Sequence, residues 1–245
     1  MTRPRTAARN AASISRKSQS VTVHSRKMYV DCRFGQLHLH TAFPSSGGFD
    51  ELTPLVCIAP APVSGRLFKP LLGNLGKDRS VYAPDLPGCG ESDSPSATPT
   101  MSDYSAGLVD LLDSLRLRQV DVLGYKGGSL AAVEFALARP TQVRRVILVG
   151  VPMLDAKERE AESSSPSESG QRLAPALRGY PAGERLPLMH QPTLVLRQKD
   201  EFWQETARTD ALLREGRRVD LPEDFQTLDD GSAELVTYVR EFLDS

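Results

Sequence analysis

Cysteine and histidine are scarce in this chain, and each shortage excludes something. The three cysteines, Cys32, Cys57 and Cys89, are odd in number, widely spaced and contain no CxxC pair. That pattern excludes a disulfide framework and a zinc ribbon, and it fits a reducing, cytoplasmic setting. With only four histidines and no third ligand beside any pair of them, nothing calls for a metal ion, and no other cofactor motif is present. No apolar run approaches the length of a membrane span, and the first twenty residues lack the apolar stretch of a secretory signal. Acidic residues are absent from residues 1–30, which hold seven Lys or Arg; the remaining 23 basic residues face 31 acidic ones, a balance of −8. Residues 1–27 therefore read as a disordered basic tail, with an organelle transit peptide of similar composition as the alternative. A nucleic-acid arm is disfavoured because no basic face continues into the acidic body.

What is there is enough for one core. A chain of 245 residues, 40% apolar and 25% charged, can form a single domain, here placed at 28–245. Short apolar runs alternate with helical patterns. Met28 to Phe34 and Gln36 to Ala42 read as a hairpin, with His38 and His40 on a half-exposed strand face. Leu55 to Ala59, Ser80 to Pro84, Val120 onward, Val143 to Gly150, Pro192 to Arg197 and Arg218 to Leu221 read as strands. Helices are expected over Ser64 to Leu75, after a Ser102 cap, over Lys126 to Pro140 and over Ala233 to Leu243. Such alternation predicts an α/β fold with a mostly parallel twisted sheet, helices on both faces, and ligands at the carboxyl ends of the strands.

Two stretches carry most of the information. Gly124-Tyr125-Lys126-Gly127-Gly128 joins a strand to a helix, and glycines two residues either side of the tip leave room where a Cβ would strike neighbouring backbone. Asp85-Leu86-Pro87-Gly88-Cys89-Gly90-Glu91-Ser92-Asp93 is a compact glycine turn after another strand. Together with the PTLVL strand at Pro192 and the terminal helix, these resemble the α/β-hydrolase superfamily over nearly all of residues 28–245. The first stretch resembles its nucleophile elbow, GxSxG, and the second its DLPGxGxSD turn.

The resemblance implies a hydrolase acting on an ester, acyl or related small organic substrate, and it also exposes three departures. Lys126 stands where the family has its serine. Ala59-Pro60 stands where an oxyanion-hole loop begins His-Gly, leaving the amides of Ala61 and Gly127 as the donors still available. Asp224 stands where the triad histidine would be, in Glu223 to Asp229. The triad acid aligns best with Asp200, with Glu201 one residue away. An ordinary Ser-His-Asp relay is thus missing two of its three groups. Lys126 facing Asp200 and Asp224 reads either as an ion-pair cluster filling a retired site or as a lysine tuned for chemistry, and the sign of its pKa shift is not decidable from sequence. Tyr125 could line the pocket. Ser129 could belong to an alternative GxSxA register, although the strand-to-proline spacing favours a packing or capping role. The cap insertion, residues 152–191, has a low-complexity Ser/Glu middle and is expected to be reduced and partly disordered, leaving an open site or one covered by a second copy of the chain. The overall expectation is a divergent family member with a small-molecule pocket, or alternatively a lysine-dependent enzyme on an ester, acyl or carbonyl substrate.

Overall fold

The computed structural model describes residues 22–45, 51–164, 175–223, 225, 228 and 232–245. An eight-stranded sheet runs in the order β1-β2-β4-β3-β5-β6-β7-β8. Its strands are β1 (Val23–Cys32), β2 (Gly35–Pro44), β3 (Leu52–Ile58), β4 (Arg79–Pro84), β5 (Val120–Tyr125), β6 (Val143–Val149), β7 (Thr193–Arg197) and β8 (Gly216–Asp220). The β1/β2 and β2/β4 pairs are antiparallel and every later pair is parallel. The expected α/β class and mostly parallel sheet are therefore what the chain forms.

Each face of the sheet is covered because the inner strands are buried on both sides, whereas the edge strands β1 and β8 are mostly exposed. On one face α2 (Met101–Leu115) and α3 (Gly127–Ala138) bury Leu108, Leu111, Leu112, Leu130 and Phe135. On the other, α1 (Lys69–Leu75) and the terminal helix α8 (Ser232–Leu243) bury Leu71, Leu75, Leu235 and Val239. Nine of the twelve residues of α3 are buried, as expected of a helix apolar on every side.

Several local expectations are corrected. Strand β1 begins at Val23, inside the stretch read as tail, because its ten residues pair in register with β2 from Val23↔Pro44 to Cys32↔Gly35. Residues 1–21 lie outside the described residues. The cap of α2 is Thr100, not Ser102: the Asp103 amide donates to Thr100 Oγ1 at 3.2 Å while the Thr100 amide donates to Asp103 Oδ2 at 2.8 Å, a reciprocal pair that starts the helix two residues earlier. The segment before α1 forms a 3-10 turn, Gly65–Phe68.

His38 and His40 are buried, not half-exposed, because β2 is an inner strand flanked by β1 and β4. Within the cap insertion, the described residues are tied to the body by side-chain contacts. Asp155 and Glu158 cap α4 (Ala156–Ser164) reciprocally, and Glu158 pairs with Arg208 at 2.7 Å. The short helices α5 (Pro175–Arg178) and α6 (Ala182–Arg185) pack on α3: Tyr180 Oη donates to Glu134 at 2.9 Å and Arg185 holds the same carboxylate at 2.8 and 3.0 Å. Residues 165–174, the rest of the Ser/Glu stretch, lie outside the described residues.

Candidate functional site

The turn between β5 and α3 sets the site. Lys126 is held at φ 49° and ψ −120°, a left-handed conformation that a residue with a side chain adopts only under strain. Its amide donates to the Val149 carbonyl at 2.7 Å and its own carbonyl accepts from the Ser129 amide at 2.8 Å. The glycines flanking it are required sterically: a Cβ on Gly128 would lie 2.1 Å from the Ile58 carbonyl oxygen, and one on Gly124 would lie 2.6 Å from the Gly128 carbonyl oxygen. These contacts bring α3 close enough to the sheet to present Lys126 at the carboxyl end of β5.

Glu201 is the counter-ion of Lys126. Lys126 Nζ donates to its two carboxylate oxygens at 2.9 and 3.0 Å, and both side chains are about a quarter exposed, at 24% and 23%. Burial alone would lower the Lys126 pKa, but the Glu201 hydrogen bond, the neighbouring Tyr125 and the charges of Glu201 and Asp200 outweigh it, so the net shift is upward. Nζ also lies 5.7 Å from the centre of the Tyr125 ring. The sequence had offered Glu201 only as a neighbour of Asp200; the extra residue of reach comes from the turn after β7.

Asp200 sits beside this pair without being its closest partner. Its Oδ1 accepts from the Phe202 amide at 2.9 Å and its Oδ2 from Gln198 Nε2 at 2.9 Å. Burial pushes its carboxyl pKa up, and those two donors and the Lys126 charge do not cancel the effect. Gln198 also lies 3.3 Å from the buried Tyr125 hydroxyl, so Tyr125 is tied into the wall; burial raises its pKa too. Nothing in the sequence marked Gln198 as the bridge. Asp224 lies outside the described residues.

The remaining candidates divide between scaffold and pocket. Ser129 is fully buried and its hydroxyl donates to the Gly124 carbonyl at 2.9 Å and the Gly150 carbonyl at 3.3 Å, so it is committed to holding the turn rather than turned to a ligand. The amides of Ala61 and Gly127 have no acceptor among the described residues. Gly127 is covered from the cap: its Cβ position lies 2.6 Å from Leu177 Cδ1 and 3.4 Å from Pro60. Phe202 is buried in the core, and Arg197 stacks on the Trp203 ring 3.5 Å from its centre.

All four histidines of the chain are described, and none reaches this turn by topology. His24 lies on β1, His38 and His40 on β2, and His190 beside Arg214 at the amino end of β7. Strand β2 is separated from β5 by β4 and β3, about 14 Å at ordinary strand spacing.

A second polar centre lies at that other end of the sheet. His38, His40 and Asp85 each place a ligand atom within 4.8 Å of the others, so the third group missing from the histidine pair is supplied by the fold. Its chemistry does not suit a cation. Asp85 already accepts from Ser64 Oγ at 2.6 Å, the Gly65 amide at 2.7 Å, the Glu91 amide at 2.8 Å and His38 Nδ1 at 2.9 Å. Those four contacts occupy the lone pairs of an ionised carboxylate.

Comparison with known proteins places the chain among one set. The family described as "Alpha/beta hydrolase family" matches residues 39–239. A carboxylesterase of Bacillus subtilis is 26% identical over 128 residues, 52% of this chain and 41% of that protein. A 2-hydroxymuconate semialdehyde hydrolase of a Pseudomonas species is 35% identical over 81 residues, 33% of this chain and 29% of that protein. These matches span less than half the length of the relatives. Among solved structures, an esterase from Exiguobacterium antarcticum superposes with a TM-score of 0.73 at 14% identity, covering 90% of this chain and all of that one.

Proposed function

The chain belongs to the alpha/beta hydrolase family, and from that premise we propose that it is a divergent member whose site binds a small organic or acyl ligand at Lys126 without the family's serine-type hydrolysis. In this reading the β5–α3 turn is the family's nucleophile elbow and Lys126 occupies the nucleophile position. The observation that carries it is the grip of Glu201 on the Lys126 ammonium, with the upward pKa shift that follows. A lysine held protonated is a poor nucleophile or base and a good point charge. Two of its three protons face Glu201, and the third remains for an acyl oxygen or a carboxylate of the ligand. The free amides of Ala61 and Gly127 add donors for the same oxygen. This reading is supported by the position of His38 and His40 on β2, three strand spacings from β5, and by the commitment of the Ser129 hydroxyl to the Gly124 carbonyl.

The alternative, a lysine-dependent enzyme on an ester, acyl or carbonyl substrate, draws on those same free amides, since an oxyanion hole is of use only to chemistry. It would need the Lys126–Glu201 pair to open so that the amine could lose its proton.

One experiment separates them: turnover of a panel of short-chain acyl esters by the wild type and Lys126→Ala, with both folds checked by circular dichroism. The binding reading expects no turnover above background from either protein. Turnover by the wild type that vanishes in Lys126→Ala overturns it in favour of the lysine-dependent enzyme. Turnover surviving in Lys126→Ala removes Lys126 from both readings.

A further inference from the structure

A cleft of about 530 Å³ lies between β1, β2 and the segment leading into α1, and none of its lining residues belongs to the Lys126 turn. Its charge is one-sided. Arg26 and Lys27 reach it from β1, and Arg66 and Lys69 from the 3-10 turn and the start of α1; the single acid on its wall is Glu91. That acid is engaged by Lys27 at 2.8 Å and by the Tyr29 hydroxyl at 2.8 Å. The side chains of Arg26, Arg66 and Lys69 make no hydrogen bond or ion pair among the described residues. Like charges drawn around one hollow repel, and a multivalent anion entering it relieves that repulsion.

His40 supplies the second, independent mark of a site. It lines the cleft at only 7% exposure, its ring packs edge-on against His38 at 4.7 Å, and it makes no hydrogen bond among the described residues. The buried imidazole nitrogen left without a hydrogen bond is that of its neighbour, His38 Nε2, with the Glu91 carboxylate 3.9 Å away. The surrounding cations and the fully engaged Asp85 rule against a metal ion in that place and for an anion.

A neighbouring hollow of about 410 Å³ indicates what the anion is attached to. It shares Arg66 and Lys69 with the cleft and adds an apolar wall of Val63, Leu67 and Pro70, with Val63 43% exposed. We propose that the two hollows form a ligand site for a phosphorylated small organic molecule, its phosphate among Arg26, Lys27, Arg66, Lys69 and His40 and its organic part against Val63, Leu67 and Pro70. A phosphate dianion suits three unneutralised cations better than a single carboxylate does, and guanidinium and ammonium together are its usual partners. The site is independent of any role for Lys126.

The test is calorimetric titration of the full chain at low salt with phenyl phosphate and with inorganic phosphate. The expected result is saturable binding of phenyl phosphate, tighter than inorganic phosphate, weakened about tenfold or more by Arg66→Ala/Lys69→Ala and progressively weakened by added sodium chloride. The exposed pair Arg118→Ala/Arg217→Ala removes the same charge elsewhere and is expected to leave binding unchanged. No saturable binding, or equal weakening by both double variants, overturns the site. Binding of phenyl phosphate no tighter than inorganic phosphate overturns the organic half of the proposal. Cosedimentation with phosphatidic acid vesicles without phenyl phosphate binding overturns it in favour of a lipid surface.

Discussion

Two aspartates at the carboxyl edge of the same sheet behave in opposite ways. Asp85, after β4, is fully buried, yet its pKa is lowered; burial pushes it up, and four donors more than reverse the push. Asp200, after β7, is half-buried and its pKa is raised, because two donors and a lysine already engaged elsewhere do not offset burial. The count of convergent donors, not depth, sets the sign. The difference also separates roles. A carboxylate with every lone pair engaged locks a corner, whereas one left short of donors beside a strained lysine is the kind of group a ligand can still bias.

The same substitution at both positions would break or confirm this contrast. Asp85→Asn places an amide NH₂ against groups that all donate, and at pH 7 it is expected to lose about 3 kcal/mol in urea unfolding. A depressed carboxyl pKa stabilises above its unfolded value and loses that contribution as pH falls through the folded value. The difference between wild type and Asp85→Asn should therefore shrink below about pH 4. An unchanged gap at pH 3 would show that the loss is steric rather than ionic.

Next in size is Leu177→Ala, which removes the cap side chain lying over Gly127 and is expected to lose about 2 kcal/mol while increasing access to the Lys126 turn. Faster proteolysis within 175–188 would report that loosening. Glu201→Gln follows, with a loss of about 1 kcal/mol and a fall in the Lys126 pKa readable by NMR of the Nζ group. A raised lysine pKa stabilises below the unfolded value and fades as pH climbs through the folded one, so that loss should be full at pH 7 and diminish above about pH 10. Smallest is Asp200→Asn, expected within about 0.5 kcal/mol of wild type at pH 7. Because its folded pKa is raised, a destabilising contribution sets in as pH rises through the unfolded value and is complete above the folded one, so neutralising the carboxylate does little harm at pH 7. A loss there as large as at Asp85 would erase the distinction between the two corners.

Much of this fold could be read before any coordinates, and the reason is local. Short continuous apolar runs and the Gly124 and Gly128 spacing depend only on neighbouring residues, and both elements formed where expected, with bounds shifted by a few positions. The errors came where partners were distant in sequence. His38 and His40 read as half-exposed because their alternation with Leu37 and Leu39 imitates a one-sided strand; that β1 and β4 flank them and that Asp85 and Tyr29 pack against His38 is not written nearby. A contact of the same distant kind ties Tyr180 and Arg185 to Glu134, 46 and 51 residues away.

By itself, then, the sequence determined the family, the strand and helix order and the turn with Lys126 at its tip, since these follow from residue type and short-range spacing. Only the tertiary structure decided that Glu201 rather than Asp200 grips Lys126, that Ser129 is a buried strut, and that four cations from β1 and the α1 segment surround one cleft. Ion pairing and burial depend on three-dimensional distance, and the turns after β5 and β7 are brought together only when the sheet is assembled.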